Sequence, residues 1–273
     1  MSRYAAMFER LRGHGEGAFG AFLMLGDPDL KTSAALLDAV VQGGADMIEV
    51  GIPFSDPIAD GPVIQAAGTR ALKAGVRVED CFLLLAEFRQ RHADVPVGLL
   101  TYANLLAARG RERFCADAAA AGVDSLLIAD VPSIEAEPYA EAARAAGLDL
   151  VMIAAPNTPG QTLTRIARLS SGYTYCVARM GVTGVRDDLA LQHERLFADL
   201  NRLDAPPAVL GFGISTPVQV REAIKAGAAG VISGSAIVKL AAQGGDAPAA
   251  VAGFVAAMKD ATRVGENGAA GED

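Results

Sequence analysis

Two carboxylates stand out as side chains that could transfer protons or stabilise a developing charge. Glu49 lies within the apolar run Met47-Ile48-Glu49-Val50-Gly51, where an isolated buried charge would be costly. Desolvation raises the pKa of a buried carboxyl group, so Glu49 could donate and accept a proton near neutral pH. The alternative is a Glu tied to an Arg or to backbone amides for packing alone. Asp60 lies in a loop rich in Pro and Asp, where its own pattern favours a turn or an N-cap for a helix near Pro62.

Asp56 and Asp130 also lie near the ends of proposed strands, and each has a structural interpretation. Asp56 shares the loop of Asp60, so we assign it a turn or interface role. Asp130 could face the site, or it could cap a helix or brace a loop. We therefore reserve the catalytic role for Glu49 and Asp60.

The positions of the lysines and histidines argue against two classes of mechanism. The lysines lie outside the proposed strands and their ends, which disfavours a Schiff-base aldolase. The 3 histidines lie in loops or helices and form no pair, which argues against a histidine-bound metal. We therefore expect chemistry that rests on carboxylates, without a metal ion.

Glycine-rich segments late in the chain predict a phosphate site. Gly211-Phe212-Gly213-Ile214-Ser215 follows the seventh proposed strand, and Gly234-Ser235-Ala236-Ile237 follows the eighth and opens a short helix. Glycines let the backbone approach an anion, and amides at a helix start can donate hydrogen bonds to it. A third loop, Gly181-Val182-Thr183-Gly184, could both bind phosphate and close as a lid. The pattern favours a phosphorylated substrate.

A repeated pattern of strands and helices positions these residues. Eight short apolar runs alternate with helical stretches, and most are continuously apolar, as strands covered on both faces are. The runs are 18–25, 46–52, 95–102, 124–129, 149–154, 173–178, 208–213 and 230–234. A glycine phrase precedes several strands, at 43–46, 121–124, 146–149 and 226–229. Glycine suits the residue that follows a helix end, so the phrase predicts a helix stop.

The pattern predicts an α/β fold, a single (β/α)8 TIM barrel with an extra N-terminal helix and a short helix after strand 8. The alternative is an open doubly wound sheet, which needs a dinucleotide fingerprint that Leu25-Gly26-Asp27-Pro28 does not supply. We expect residues 4–11 to form a helix over the barrel bottom. Residues 1–262 are predicted to form one domain and residues 263–273 a disordered C-terminal tail.

Composition excludes several classes of protein. The 273 residues carry a formal net charge of −8 without a basic cluster, so nucleic acid is not an expected partner. The N-terminus lacks the apolar core of a secretory signal, and no apolar run approaches the ~20 residues that span a bilayer. The 3 cysteines are far apart in the chain, which suits reduced thiols. We therefore expect a soluble cytoplasmic protein without a membrane partner.

The sequence resembles the alpha subunit of tryptophan synthase from its first helix to about Met258. The resemblance rests on six segments, which are Leu25 to Pro28, Glu49 to Pro62, Tyr102 to Asn104, Gly181 to Gly184, Gly211 to Ser215 and Gly234 to Val238. It implies a lyase of tryptophan biosynthesis that cleaves indole-3-glycerol phosphate to indole and glyceraldehyde 3-phosphate. This retro-aldol reaction would need no metal and no organic cofactor.

The resemblance also implies roles for particular residues. Glu49 would protonate the indole carbon that becomes the leaving group and take the proton from the glycerol hydroxyl, while Asp60 would stabilise charge at the indole N–H. Thr183 would hydrogen-bond to Asp60 when its loop closes. The other expected substrate-binding residues are Phe22, Leu100, Leu127 and Tyr175 around the indole, Gly184, Gly213, Gly234 and Ser235 for the phosphate, and Phe212. Pattern alone would place the first four of these in the barrel core.

Some positions depart from the family pattern. We hypothesise that Met24 in the first strand and Thr101 in the third face each other at the barrel mouth. The larger side chain would then have changed strands while the pocket volume was kept. Ala178 stands where a Ser is common, so loop ordering could differ. Arg186, just beyond that loop, could be a surface charge or a gate residue, and we favour the surface.

The resemblance implies a protein partner as well. The family's alpha subunit normally binds a beta subunit, which receives indole through an internal tunnel, and the loops holding Pro53, Asp56, Asn104 and Pro132 would face it. Sequence motifs do not separate this behaviour from a stand-alone, indole-releasing lyase of a specialised pathway. A further alternative is a non-catalytic subunit that binds the ligand and activates a partner enzyme. A phosphosugar isomerase would share the phosphate loops but would leave the segment from Glu49 to Pro62 unexplained.

Overall fold

The computed structural model describes residues 1–177 and 186–263, with the backbone alone for residues 186–192. The strands are β1 (Ala18–Met24), β2 (Met47–Gly51), β3 (Val97–Thr101), β4 (Ser125–Ile128), β5 (Asp149–Leu150), β6 (Ile153–Ala154), β7 (Thr174–Val177), β8 (Ala208–Gly211) and β9 (Gly230–Ser233). The helices are α1 (Arg3–Gly13), α2 (Leu30–Gln42), α3 (Pro62–Lys73), α4 (Val78–Arg91), α5 (Ala103–Arg109), α6 (Arg111–Ala120), α7 (Glu137–Ala145), α8 (Gly160–Leu169), α9 (Arg186–Arg202), α10 (Pro217–Lys225), α11 (Ser235–Ala241) and α12 (Ala247–Asp260). Every predicted strand is present, and the one predicted at 149–154 is divided into β5 and β6.

The strands form a closed parallel barrel. Their order is β5-β4-β3-β2-β1-β9-β8-β7-β6, so the two outermost strands are successive parts of the same short segment. On one side the Val151 N–H donates to the Leu126 carbonyl at 2.8 Å, and on the other the Tyr175 N–H donates to the Met152 carbonyl at 3.0 Å. Residues 149–154 therefore act as one strand that joins both edges. The predicted barrel is confirmed, and the doubly wound alternative is wrong because its sheet would stay open.

The glycine phrases end helices as predicted. In each phrase one glycine has a positive φ, namely 93° at Gly44, 87° at Gly122, 78° at Gly147 and 100° at Gly227. This left-handed conformation costs glycine little, because it has no Cβ. The chain can then leave the helix and enter the next buried strand within two or three residues.

Alternation along the strands separates an outer and an inner apolar layer. In β1, Phe19 and Leu23 belong to the outer layer that packs against the helices, whereas Phe22 and Met24 point into the barrel. Helix α1 closes the barrel bottom, as predicted, because its buried face joins the inner layer. That face consists of Tyr4, Met7, Phe8 and Leu11.

The hypothesis that Met24 and Thr101 face each other is wrong. Met24 packs in the inner layer. In β3, Leu100 packs against that same layer while Leu99 belongs to the outer one, so alternation places Thr101 on the outer face with Leu99. The two side chains lie on opposite faces of the sheet and cannot exchange volume.

The end of the described chain is tied to the segment after α1. Glu16 and Arg263 form an antiparallel backbone bridge, and the Arg263 guanidinium contacts the Glu16 carboxylate at 3.2 Å. The tail predicted over residues 263–273 is therefore wrong for Arg263, and its other residues lie outside the described ones, as do Ala178 and the side chain of Arg186. Among the described residues, no helix combines the length and the apolar character needed to cross a membrane.

Candidate functional site

Glu49 is a buried carboxyl group with a single neutral hydrogen-bond donor in the described structure. It lies in β2, is 2% exposed and points into the barrel, opposite to its neighbours Ile48 and Val50. The Tyr173 hydroxyl donates to Glu49 Oε1 at 3.1 Å. Burial raises the pKa of Glu49, the nearby Asp60 carboxyl adds to this rise and the Tyr173 hydrogen bond opposes both effects, so that the resulting pKa is about 7. Among the described residues, no arginine or backbone amide contacts this carboxyl group. The alternative of a Glu held by such groups for packing alone is therefore wrong.

Asp60 is oriented by a tyrosine on the neighbouring strand end. The N-cap of α3 is Gly61, without a side-chain cap, so the N-cap role considered for Asp60 is wrong. The half-buried Asp60 carboxyl instead accepts a hydrogen bond from the Tyr102 hydroxyl; burial raises the pKa of Asp60 and this bond lowers it. The Tyr102 hydroxyl in turn accepts from the Ala59 N–H at 3.2 Å. Sequence reasoning missed this role, although Tyr102 ends a predicted strand and begins one of the family segments.

Further hydroxyl groups lie beneath Glu49 inside the barrel. The Tyr4 and Ser125 hydroxyls are 2.8 Å apart, and the rings of Tyr4 and Tyr173 have centroids 5.2 Å apart. Gly98 leaves room for them, because a Cβ there would lie 3.0 Å from Tyr4 Oη and 3.5 Å from Tyr173 Oη. Burial raises the pKa of both tyrosines, so they remain neutral phenols beside Glu49. Neither tyrosine was expected from the sequence.

The four apolar residues expected around the indole lie together. Phe22, Leu127 and Tyr175 are buried in the inner layer, and the partly buried Leu100 packs against it. Phe22 is the direct neighbour of Glu49 in the register of β1 and β2. Tyr175 requires glycine at position 211, where a Cβ would lie 2.1 Å from its hydroxyl oxygen. These side chains and Glu49 therefore face one interior space.

The two described glycine loops lie at the carboxyl ends of β8 and β9. Phe212 and Gly213 both have positive φ, at 71° and 83°, and both are exposed. After β9, Gly234 is half-buried and Ser235 is exposed. The loop holding Thr183 and Gly184 lies outside the described residues.

The remaining candidates lie in loops at the same rim. Asp130 Oδ1 accepts a hydrogen bond from the Ala103 N–H at 2.8 Å, so the interpretation as a brace is confirmed. Asp56, Asn104 and Pro132 are exposed, whereas Pro53 is buried. Within residues 1–177 and 193–263, no three His, Cys, Asp or Glu side chains converge in a way that could hold a metal ion.

Fold and site together define a TIM-barrel enzyme that performs acid–base chemistry at the carboxyl ends of its strands. The family model "Tryptophan synthase alpha chain" matches residues 8–263. The chain belongs to this family.

Individual relatives agree with that assignment. The tryptophan synthase alpha chain of Shewanella amazonensis is 49% identical over 266 residues, which cover 96% of this chain and 100% of the relative. The solved structure of tryptophan synthase subunit alpha from Legionella pneumophila has a TM-score of 0.87 at 28% identity and covers 96% of this chain and 98% of its own. A chain of tryptophan synthase from M. tuberculosis, in its aminoacrylate- and BRD0059-bound form, has a TM-score of 0.85 at 30% identity, with 97% and 99% covered.

Proposed function

We propose that this chain cleaves indole-3-glycerol phosphate into indole and glyceraldehyde 3-phosphate, with Glu49 as the group that moves the protons. The observation that carries the proposal is the desolvated carboxyl of Glu49, whose pKa is about 7. Near neutral pH both of its forms are populated, so the same side chain can give one proton and take another. Membership of the tryptophan synthase alpha chain family identifies the substrate that we propose.

Glu49 alone can carry out both proton transfers of the reaction. The acid form of Glu49 protonates the indole carbon that carries the glycerol chain. The resulting carboxylate takes the proton of the hydroxyl on the adjacent glycerol carbon. The bond between the two carbons then breaks, its electron pair returns to the indole ring, and the hydroxyl-bearing carbon becomes the aldehyde. Glu49 ends protonated, ready for the next turnover.

Asp60 stabilises the charge that develops while the ring is protonated. Protonation of the ring carbon makes the indole N–H more acidic and positively polarised, and a fixed carboxylate beside it lowers the barrier. Because the Tyr102 hydroxyl accepts a hydrogen bond from Ala59, its own proton is available to Asp60. This arrangement orients the Asp60 carboxylate before substrate binds.

Substrate binding divides between the barrel interior and its rim. Phe22, Leu100, Leu127 and Tyr175 surround the indole, and the exposed ring of Phe212 lies at the mouth of the same space. Backbone amides of Gly213, Gly234 and Ser235 bind the phosphate, which the exposure of these loops supports. The contributions of Thr183 to Asp60 and of Gly184 to the phosphate rest on the family resemblance alone.

We propose that the rim at the carboxyl ends of β2, β3 and β4 docks a tryptophan synthase beta subunit. Two large apolar side chains are exposed there, Ile58 at 82% and Ile134 at 70%. Exposed apolar side chains at a rim of polar loops are typical of a protein interface. They lie in the loops of the exposed Asp56 and Pro132, close to the expected contact residues.

Two broader expectations belong to the same proposal. Residues 1–262 form one domain, which the closed barrel and the packing of α12 against the outer layer support, and the proposed tail follows Arg263. A cytosolic location is supported by Cys81, Cys115 and Cys176, which are buried and unpaired.

Indole release tests the function directly. The full chain is incubated with indole-3-glycerol phosphate, with and without a beta subunit, and indole is assayed. We expect indole from the wild type, a strongly reduced rate from Glu49→Gln, and a normal rate from the control Glu141→Gln, whose side chain is exposed on α7. No indole from the wild type under either condition would overturn the proposal and favour a non-catalytic subunit.

A further inference from the structure

Ser233 joins the two glycine loops at the barrel mouth. It is the last residue of β9 and is fully buried. Its hydroxyl donates a short hydrogen bond of 2.6 Å to the carbonyl of Ile214, in the loop between β8 and α10. The next residues after Ser233 are Gly234 and Ser235. One side chain thus connects the loop after β8 to the start of the loop after β9.

The loop after β8 needs such a connection because its backbone is unusual. Phe212 and Gly213 are successive residues with positive φ, and this conformation is uncommon for a residue with a side chain such as Phe212. Backbone of this kind persists only where the surroundings hold it in place. At one end of the loop Tyr175 packs closely against Gly211. At the other, Thr216 and Gln219 form a capping box at the start of α10.

Between these two ends, Ile214 is the buried point of the loop. Its side chain packs in the outer layer, and its carbonyl accepts the Ser233 hydroxyl. In the described part of the chain, this is the only side-chain hydrogen bond to residues 212–214. A buried carbonyl without a donor is unfavourable. If the Ser233 hydroxyl were removed, we therefore expect the loop to shift so that this carbonyl meets water.

Ser233 acts from behind the loops and does not face the substrate. In β9, Ile232 packs inside the barrel and Val231 in the outer layer. Alternation therefore places the Ser233 side chain on the outer face, with Val231. A direct contact between its hydroxyl and a ligand in the barrel mouth is thus ruled out by strand geometry.

We propose that Ser233 is a positioning residue for phosphate recognition. Its hydrogen bond to Ile214 holds the loop after β8 in place beside Gly234 and Ser235, so that the backbone amides of both segments can bind the same phosphate group. The inference rests on the proposed function, which supplies the phosphate of the substrate. Beyond that function, we infer that the Ser233 hydrogen bond couples the two phosphate-binding segments, so that they hold the phosphate together.

The variant Ser233→Ala removes the hydroxyl, and Ser170→Ala is its matched control. Ser170 is also buried, but its hydroxyl has no hydrogen-bond partner among the described residues, so the same chemical change there breaks no such bond. Both full-length variants are assayed for indole formation with saturating beta subunit, using indole-3-glycerol phosphate and indoleglycerol without the phosphate. Calorimetry measures binding of glycerol 3-phosphate, and circular dichroism checks that each variant is folded.

For Ser233→Ala we expect the KM for indole-3-glycerol phosphate and the Kd for glycerol 3-phosphate to rise about tenfold, which corresponds to the loss of one buried hydrogen bond. We expect kcat to stay within about twofold, because Glu49 and Asp60 are untouched. Turnover of indoleglycerol stays at the wild-type value, and Ser170→Ala behaves as wild type. Ser233→Cys, a weaker donor of similar shape, gives an intermediate Kd.

Three outcomes would overturn the inference. These are wild-type binding of glycerol 3-phosphate by Ser233→Ala, equal losses with and without the phosphate on the substrate, and equal losses in Ser170→Ala. If Ser233→Ala does not fold, the Ser233→Cys variant decides the question by its Kd. Failure of the proposed function is a separate result, because the wild type would then release no indole. Calorimetry with glycerol 3-phosphate would still test the role of Ser233.

Discussion

Asp46 and Glu49 are two buried acids three residues apart, and their surroundings are opposite. Asp46, just before β2 at the barrel bottom, contacts Lys259 Nζ at 2.8 Å and Arg10 at 3.2 Å and accepts from the Phe19 N–H at 2.9 Å. Glu49, further along the strand, has a neutral tyrosine hydroxyl at 3.1 Å. Both are nearly inaccessible. Compensation, and not burial, distinguishes Asp46 from Glu49, the carboxyl group that we propose as catalytic.

The same difference separates Asp124, at the barrel bottom, from Asp60, at the carboxyl ends of the strands. At the bottom, Asp124 is likewise paired, with Arg3 and Arg89 each at 2.7 Å. These pairs tie α1, α4 and α12 to the strand starts, so the charges at this end serve stability. At the carboxyl ends of the strands, Glu49 and Asp60 each accept from a tyrosine, and each carboxyl has a raised pKa. Within the described part of the chain no cation accompanies Glu49 or Asp60, which suits the proton-transfer role proposed for Glu49 and the charge-stabilising role proposed for Asp60.

The largest expected effect is on catalysis. Glu49→Gln keeps the shape of the side chain but can neither donate nor accept the proton, so kcat for indole formation falls by about 10²–10⁴-fold. Asp46→Asn, normalised to folded enzyme, keeps the wild-type kcat. Steady-state assays of the two variants side by side test the comparison. A kcat loss of less than tenfold in Glu49→Gln would contradict the assignment of Glu49.

Stability should respond in the reverse order. Asp46→Asn leaves the mostly buried Lys259 ammonium without one of its two carboxylates, and we expect a loss of about 3 kcal/mol in the free energy of unfolding. Urea denaturation measures it. The control Asp260→Asn breaks an exposed pair with Arg263 and should cost less than about 1 kcal/mol. Equal losses of unfolding free energy in both variants would show that the buried ion pairs of Asp46 stabilise the fold no more than an exposed pair does.

The pH dependence of stability isolates the uncompensated acid. Burial raises the pKa of Glu49 from its usual 4.5 to about 7, so between these values the folded state holds a proton that the unfolded state has released. Stability therefore falls as pH rises through this window, by roughly 3 kcal/mol in total. Glu49→Gln abolishes this loss, so the variant should match the wild type near pH 4.5 and exceed it by roughly 3 kcal/mol at pH 9. Parallel pH curves for the two proteins would contradict the assigned pKa.

The smallest effect is expected from the tyrosine beside Glu49. Its hydrogen bond lowers the pKa of Glu49, so Tyr173→Phe should raise the Glu49 pKa seen in the kcat profile by about one unit. Tyr139→Phe, on the outer helix α7, is the control and should leave the profile unchanged. A downward shift in Tyr173→Phe would contradict the role of the hydrogen bond.

Local patterns predicted the strands, the glycine helix stops and the burial of Glu49, because each depends on neighbours in the chain. Asp60 was ambiguous from its loop, and the structure removes the N-cap interpretation by placing Gly61 at the helix start. Tyr173 was missed because it lies 124 residues from Glu49, and Tyr102 because it lies 43 residues from Ala59. No short-range spacing connects these pairs, so only the barrel brings them together.

The sequence by itself determined the class of fold and the buried carboxyl, since hydrophobic runs and helix stops set the local backbone. Only the tertiary structure decided how the barrel closes, through both edges of residues 149–154, and which faces Met24 and Thr101 occupy. It also decided which acid is compensated, because Lys259 reaches Asp46 from the far end of the chain. The physical reason is that charge compensation and cavity lining depend on strand register and curvature, which arise from packing of the whole chain.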